Sequence, residues 1–166
     1  FAYPYGEYDK GLRKLVRDYN FRAAFGQQSG VAGSQSDLYA LPRFTMTENY
    51  GDTRRFRLTA RALPLGIRDV TPATPVVTGN PPRIGFSLPG DLKLGAEDLK
   101  CYASNGASVE REIIRKTRVE LRLEQPFVPR RGRVNCIAAI PSNDDADINQ
   151  RWRWHGMLFV IPEDLR

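Results

Sequence analysis

The chain has 166 residues, 41% of them hydrophobic, and its 25 Lys and Arg against 19 Asp and Glu leave a formal charge of +6. That apolar share supports a buried core in one domain or two small ones, and it excludes the disordered and fibrous classes. No apolar run is long enough to span a bilayer, and the basic residues alternate with acids, as in Arg118-Val119-Glu120-Leu121-Arg122-Leu123-Glu124. Arg130, Arg131 and Arg133 cluster, but without a stacking or groove-reading motif no nucleic-acid surface is expected.

In chain order, residues 1–8 read as the end of a buried strand running into a tight turn and then a helix. A compact domain rarely opens in mid-strand on Phe1, Tyr3 and Tyr5 with no polar lead-in, so the expectation is a chain cut from something longer. Leu12, Leu15, Val16 and Tyr19 follow at the i, i+3, i+4, i+7 spacing of an amphipathic helix, with Asp9 placed to cap it. Asn20 ends that helix. Residues 21–25 read as a short buried strand, 26–37 as a Gly/Ser/Gln loop, and 39–46 as a strand interrupted by Pro42. A second helix starts at Asp52, with Phe56, Ala60 and Leu63 on one face, and Pro64 stops it.

Strand, helix, strand, strand, helix is the rhythm of an α/β unit with a parallel sheet, and residues 1–64 hold too few strands to close a barrel. Between Pro64 and Pro82 lie five of the twelve prolines, with Pro89 just beyond, so residues 65–82 read as an extended connector and a domain boundary. From residue 83 the pattern changes to short alternating segments at 84–88, 99–103, 109–114, 117–123, 133–140 and 152–161. That pattern predicts an antiparallel β-sandwich of immunoglobulin-like size over 83–166. Residues 142–150, rich in Asn and Asp, read as a solvated hairpin without the ordered ligand spacing of a calcium loop.

Cys101 is in phase with Leu99 and Ala103, and Cys136 with Val134 and Ala138, so both point inward. On different strands of a sandwich they face each other across the core, either as a disulfide or as two buried thiols. A bond would mark an oxidising compartment.

The single histidine, His155, excludes a zinc site built from two or three histidines of this chain. No Gly-x-Ser-x-Gly elbow or phosphate-binding Gly loop is present, and Ser29 is a loop serine without a partner, so the spacing contains no complete active site. What the opening stretch supplies is backbone. A Pro4-Tyr5-Gly6 turn at the carboxyl end of a strand exposes the Tyr5 N–H, a donor suited to a developing oxyanion. Tyr3 and Tyr5 either line a sugar-binding surface or pack at a barrel rim.

The run Phe1-Ala2-Tyr3-Pro4-Tyr5-Gly6-Glu7-Tyr8-Asp9, with Phe21-Arg22-Ala23-Ala24-Phe25-Gly26 and Ala40-Leu41-Pro42-Arg43-Phe44, resembles the second half of a polysaccharide deacetylase of the NodB-homology, carbohydrate esterase type. Asn80-Pro81-Pro82, Cys101-Tyr102-Ala103-Ser104, Arg133-Val134-Asn135-Cys136 and Arg151-Trp152-Arg153-Trp154 are similar to the β-rich extension of some bacterial members. The resemblance implies the last part of a (β/α) barrel at 1–64 followed by a sandwich. It also implies a parent enzyme that hydrolyses N-acetyl groups of an exported or cell-surface glycan, in the periplasm or beyond.

In that family a divalent metal, usually zinc, is held by an Asp and two His in motifs that precede the Pro-Tyr-Gly turn. The resemblance thus places the metal ligands outside this chain, in a missing N-terminal half of the barrel, carried by another chain or removed. It assigns the oxyanion role to the Tyr5 N–H, with Tyr3, Pro4, Gly6, Arg43 and Glu48 lining the substrate pocket. The family's usual Arg before the turn is Ala2 here, and the later Asp-Trp and Leu-x-His motifs are absent, which is closer to deacetylases of exopolysaccharide export. The chain by itself is expected to be inactive. A non-catalytic module, with Trp152, Trp154 and Tyr102 stacking on glycan or docking a partner, is the competing expectation; sandwich core is the plain alternative for both tryptophans.

Overall fold

The computed structural model describes residues 1–90, 92, 96–128, 130–141 and 150–165. In chain order the elements are α1 (Lys10–Asp18), α2 (Thr53–Ala60), β1 (Leu63–Pro64), β2 (Arg68–Thr71), β3 (Ile84–Ser87), β4 (Leu99–Ala103), β5 (Val109–Ile114), β6 (Arg118–Leu123), β7 (Arg131–Ile140) and β8 (Arg151–Val160). They form two four-stranded sheets, ordered β1-β8-β7-β4 and β2-β3-β6-β5. Every pairing in them is antiparallel except β1 with β8.

The alternation of apolar and charged residues explains the sandwich. In β6, Val119, Leu121 and Leu123 are buried while Arg118, Glu120 and Arg122 face outward, and β7 turns Val134, Cys136 and Ala138 inward in the same way. These side chains meet Ile84 and Phe86 of β3 and Met157 and Phe159 of β8 in one core. Phe127 stacks on Phe159 at 5.7 Å and lies against Gly132, where a Cβ would come within 2.1 Å of the ring. A side chain at 132 would therefore displace a fully buried aromatic, whose burial contributes about 1.5–3 kcal/mol.

The Pro-rich stretch departs from the expected connector. Residues 68–71 form β2 against β3, and Leu65 and Val77 are buried in the sandwich core. Proline lacks a donor but keeps its acceptor. The Val160 N–H donates to Pro75 O at 2.8 Å and the Val77 N–H to Val160 O at 3.2 Å, so the segment docks along β8 despite its prolines.

Residues 1–62, the smaller unit, precede the sheet strands and hold a second, smaller core. Asp9 caps α1, accepting from the Leu12 N–H at 2.7 Å. Val16 is buried, together with Tyr3, Tyr8 and Ala24, and Tyr3 and Tyr8 stack at 4.4 Å. The predicted strands at 21–25 and 39–46 are reduced to single bridges, Ala2 with Phe25 and Phe25 with Leu41, both parallel. Pro42, which has no N–H to donate, follows Leu41 at once, while the Gly26 N–H still donates to Leu41 O at 2.9 Å. Both bridges are parallel, but the described residues form neither a parallel sheet of named strands here nor a barrel.

The second helix also differs from its predicted face. Phe56 is 58% exposed, Thr59 is buried, and Leu63 lies in β1. The Thr59 hydroxyl satisfies itself on Arg55 O and Phe56 O, so it is buried without a partner from outside the helix.

Candidate functional site

Pro4–Gly6 is one turn of 3-10 helix at the end of the Ala2 segment. It is closed by Gly6 N–H to Tyr3 O at 2.9 Å and Glu7 N–H to Pro4 O at 3.1 Å. Tyr5 and Gly6 both have left-handed backbones, at φ 56 and φ 74. Glycine is required at position 6 twice over, since a Cβ there would lie 2.6 Å from the Gln27 nitrogen. The Tyr5 N–H donates to no group among the described residues, and the residue is 67% exposed. A backbone N–H left without an acceptor among the described residues is a donor suited to a developing oxyanion.

The other predicted pocket residues are not all at this turn. Pro4 and Gly6 belong to it by construction. Tyr3 is a correction: it is 1% exposed and its hydroxyl donates to Tyr39 O at 3.0 Å, so it packs the small core instead of lining a ligand surface. Burial raises its pKa and pushes that of its neighbour Tyr8 up to about 12, which takes both hydroxyls out of proton transfer near neutral pH. Arg43 is tied to the parallel segments, its Nε donating to Gly26 O at 2.9 Å. Glu48 lies in a separate exposed 3-10 turn, Glu48–Tyr50.

Sequence reasoning missed the arginines that contact the turn. Glu7 accepts from Arg130 Nη2 at 2.7 Å and from Arg131 Nε at 2.8 Å, and the Arg131 guanidinium lies 4.9 Å from the centre of the Tyr5 ring. The signal available was the Arg130, Arg131, Arg133 cluster, with nothing to say which acid it met.

A cleft of about 420 Å³ opens where the smaller unit meets the sandwich. Arg13, Gln28, Asp37, Arg68, Trp154 and His155 are among its lining residues, and Arg13 pairs with Asp37 at 2.9 Å. The His155 backbone bridges Gly30, and loss of solvent lowers the imidazole from 6.5 to about 4, so the ring is neutral at physiological pH. The tryptophans are not core. Trp154 is half-buried, donates Nε1–H to Asn135 Oδ1 at 3.2 Å and meets Phe44 edge-on at 5.2 Å, while Trp152 is also half-buried and outside the core cluster. Tyr102 is 55% exposed.

Cys101 and Cys136 form a disulfide, but as directly opposed partners on the neighbouring strands β4 and β7 of one sheet, not across the core between sheets. With both thiols bonded and one histidine in the chain, no group of three His, Cys, Asp or Glu able to hold a metal occurs among the described residues. The Asn/Asp loop at 142–150 lies outside the described residues except for Gln150. No helix among the described residues is long and apolar enough to cross a membrane. Comparison with protein-family models and with curated proteins finds no match.

Proposed function

We propose that this chain is the C-terminal part of a polysaccharide N-deacetylase, with residues 1–64 as the end of its (β/α) barrel and an immunoglobulin-like sandwich after it. The single observation that carries the reading is the Tyr5 N–H, without a hydrogen-bond acceptor among the described residues, in a turn closed by two backbone hydrogen bonds at the end of a segment paired in parallel. In hydrolysis of an N-acetyl amide of an exported or cell-surface glycan, that N–H would donate a hydrogen bond to the carbonyl oxygen as negative charge develops on it. The donor set of the described residues does not fit a divalent metal. In this reading zinc or another divalent ion belongs with ligands outside these 166 residues, and the chain alone releases no acetate.

A second reading rests on a different observation. Both tryptophans lie outside the core and Tyr102 is exposed, so the β4-β7-β8 sheet offers aromatic surface on which sugar rings stack. One experiment separates the two. An ¹⁵N-labelled chain is titrated with an N-acetylglucosamine oligosaccharide. The deacetylase reading expects the Tyr5 amide resonance to move. Shifts confined to the indoles of Trp152 and Trp154 would support a binding module, and an unmoved Tyr5 amide at saturation would sink the oxyanion role.

A further inference from the structure

The Tyr5 turn is held by more than its own hydrogen bonds. A left-handed backbone is unfavourable for a residue with a Cβ, and here the turn has only two internal bonds to set against that. The turn is therefore poised to relax unless something outside it supplies the difference.

That support comes from the sandwich, 123 and 124 residues further along the chain. Arg131 is the first residue of β7 and stands opposite Val160 of β8, while Arg130 O accepts the N–H of the fully buried Ile161 at 2.8 Å. Both arginines therefore project from backbone anchored to the main core. The Arg131 guanidinium does two things at once: its Nε donates to Glu7 at 2.8 Å and its plane lies 4.9 Å from the Tyr5 ring centre. Arg130 donates to the other Glu7 oxygen at 2.7 Å. The Glu7 side chain is 18% exposed and Arg131 31%, so this pair is more sheltered than that with Arg130, which is 56% exposed. A guanidinium suits this double task because its face stacks on an aromatic ring while its edge bonds a carboxylate.

We infer that Arg131, with Arg130 and Glu7, is the positioning group of the Tyr5 turn: the sandwich sets the backbone donor of a site formed by the other region. This inference rests on the oxyanion reading of the Tyr5 N–H for its catalytic meaning, and on the geometry alone for its mechanical part. It assigns the sandwich a role in building the site, in addition to any glycan it binds.

The test reads amide hydrogen exchange in the 166-residue chain. Gly6 N–H reports closure of the turn, and Val134 and Phe159 N–H report the sandwich. Arg131→Ala is expected to speed Gly6 exchange about tenfold, the combined size of a cation–π contact and an ion pair, while leaving Val134 and Phe159 within about twofold. Arg131→Lys, which keeps the charge but not the planar fork, restores part of the protection. Glu7→Gln provides the second variant should Arg131→Ala fold poorly, with acceleration of the same sign. Unchanged Gly6 exchange in the folded variants overturns the inference, as does Gly6 acceleration matched in step by the sandwich amides. The catalytic reading fails separately: a closed turn whose Tyr5 amide ignores the N-acetylated oligosaccharide removes the oxyanion role and leaves the clamp standing.

Discussion

The two regions of this molecule are ordered by different means. Among the described residues the sandwich clusters sixteen buried side chains in its core, beside two hydrogen-bonded sheets. Among the described residues the smaller unit clusters only Tyr3, Tyr8, Val16 and Ala24 into a core, is joined by single parallel bridges, and leaves Leu15 of its helix 51% and the C-cap Tyr19 73% exposed. The smaller unit leans on the larger one through the Glu7 pairs, the Gly30–His155 bridge, the Phe44–Trp154 contact and the Arg151 hydrogen bond to Arg61 O. The ladder-rich sandwich thus supplies the partners for these contacts of the smaller unit.

The sharpest way to break the comparison is to weaken the frame alone. Replacing both Cys101 and Cys136 by alanine opens a cross-link between residues 35 apart and is expected to cost about 3–4 kcal/mol in denaturant unfolding. If the smaller unit depends on the sandwich, its Tyr3 and Gly6 amides lose protection in the same transition. A separate, later loss would show that it stands by itself.

Next in size is the seam between the regions. His155 has a folded value of about 4 against an ordinary 6.5, so the neutral form is the one that fits. The contribution is fully present above about pH 6.5 and is lost as pH falls toward 4. Its slope approaches about 1.4 kcal/mol per pH unit, because the unfolded chain binds the extra proton. His155→Gln should flatten the stability profile between pH 6.5 and 5; an unchanged slope would place the acid sensitivity elsewhere.

The smallest effect concerns the minor core. Tyr3→Phe keeps the stacked ring and removes the hydroxyl donated to Tyr39 O, which should cost about 1 kcal/mol in the same unfolding measurement. A loss several times larger would mean that this single bond joins the first and third parallel segments.

Much of the sandwich was legible because alternation is local: β5 falls on the predicted 109–114, and β8 at Arg151–Val160 is displaced by one residue from the predicted 152–161. The cap at Asp9 was legible for the same reason, since donor and acceptor are three residues apart. β2 was hidden by the prolines around it, because composition shows the missing donors and not the carbonyls that still accept. The tryptophans were misplaced as core candidates because period-2 spacing says that two residues share a face without saying which face is covered. At the candidate site, Tyr5 and Gly6 were legible as turn chemistry, whereas Tyr3 was read as a possible surface residue and is buried.

By itself the sequence determined the elements whose causes lie within a few residues: alternating strands, the capped first helix, the Pro-Tyr-Gly turn and the inward phase of the two cysteines. Only the tertiary structure decided which partner each element met. It paired Cys101 with Cys136 within one sheet, laid a proline-rich segment along β8, and brought Arg130 and Arg131 onto Glu7 and Tyr5 from the far end of the chain. The reason is physical: propensity and periodicity act over one or two turns, while salt bridges, stacking and sheet order depend on packing of surfaces that no local pattern orients.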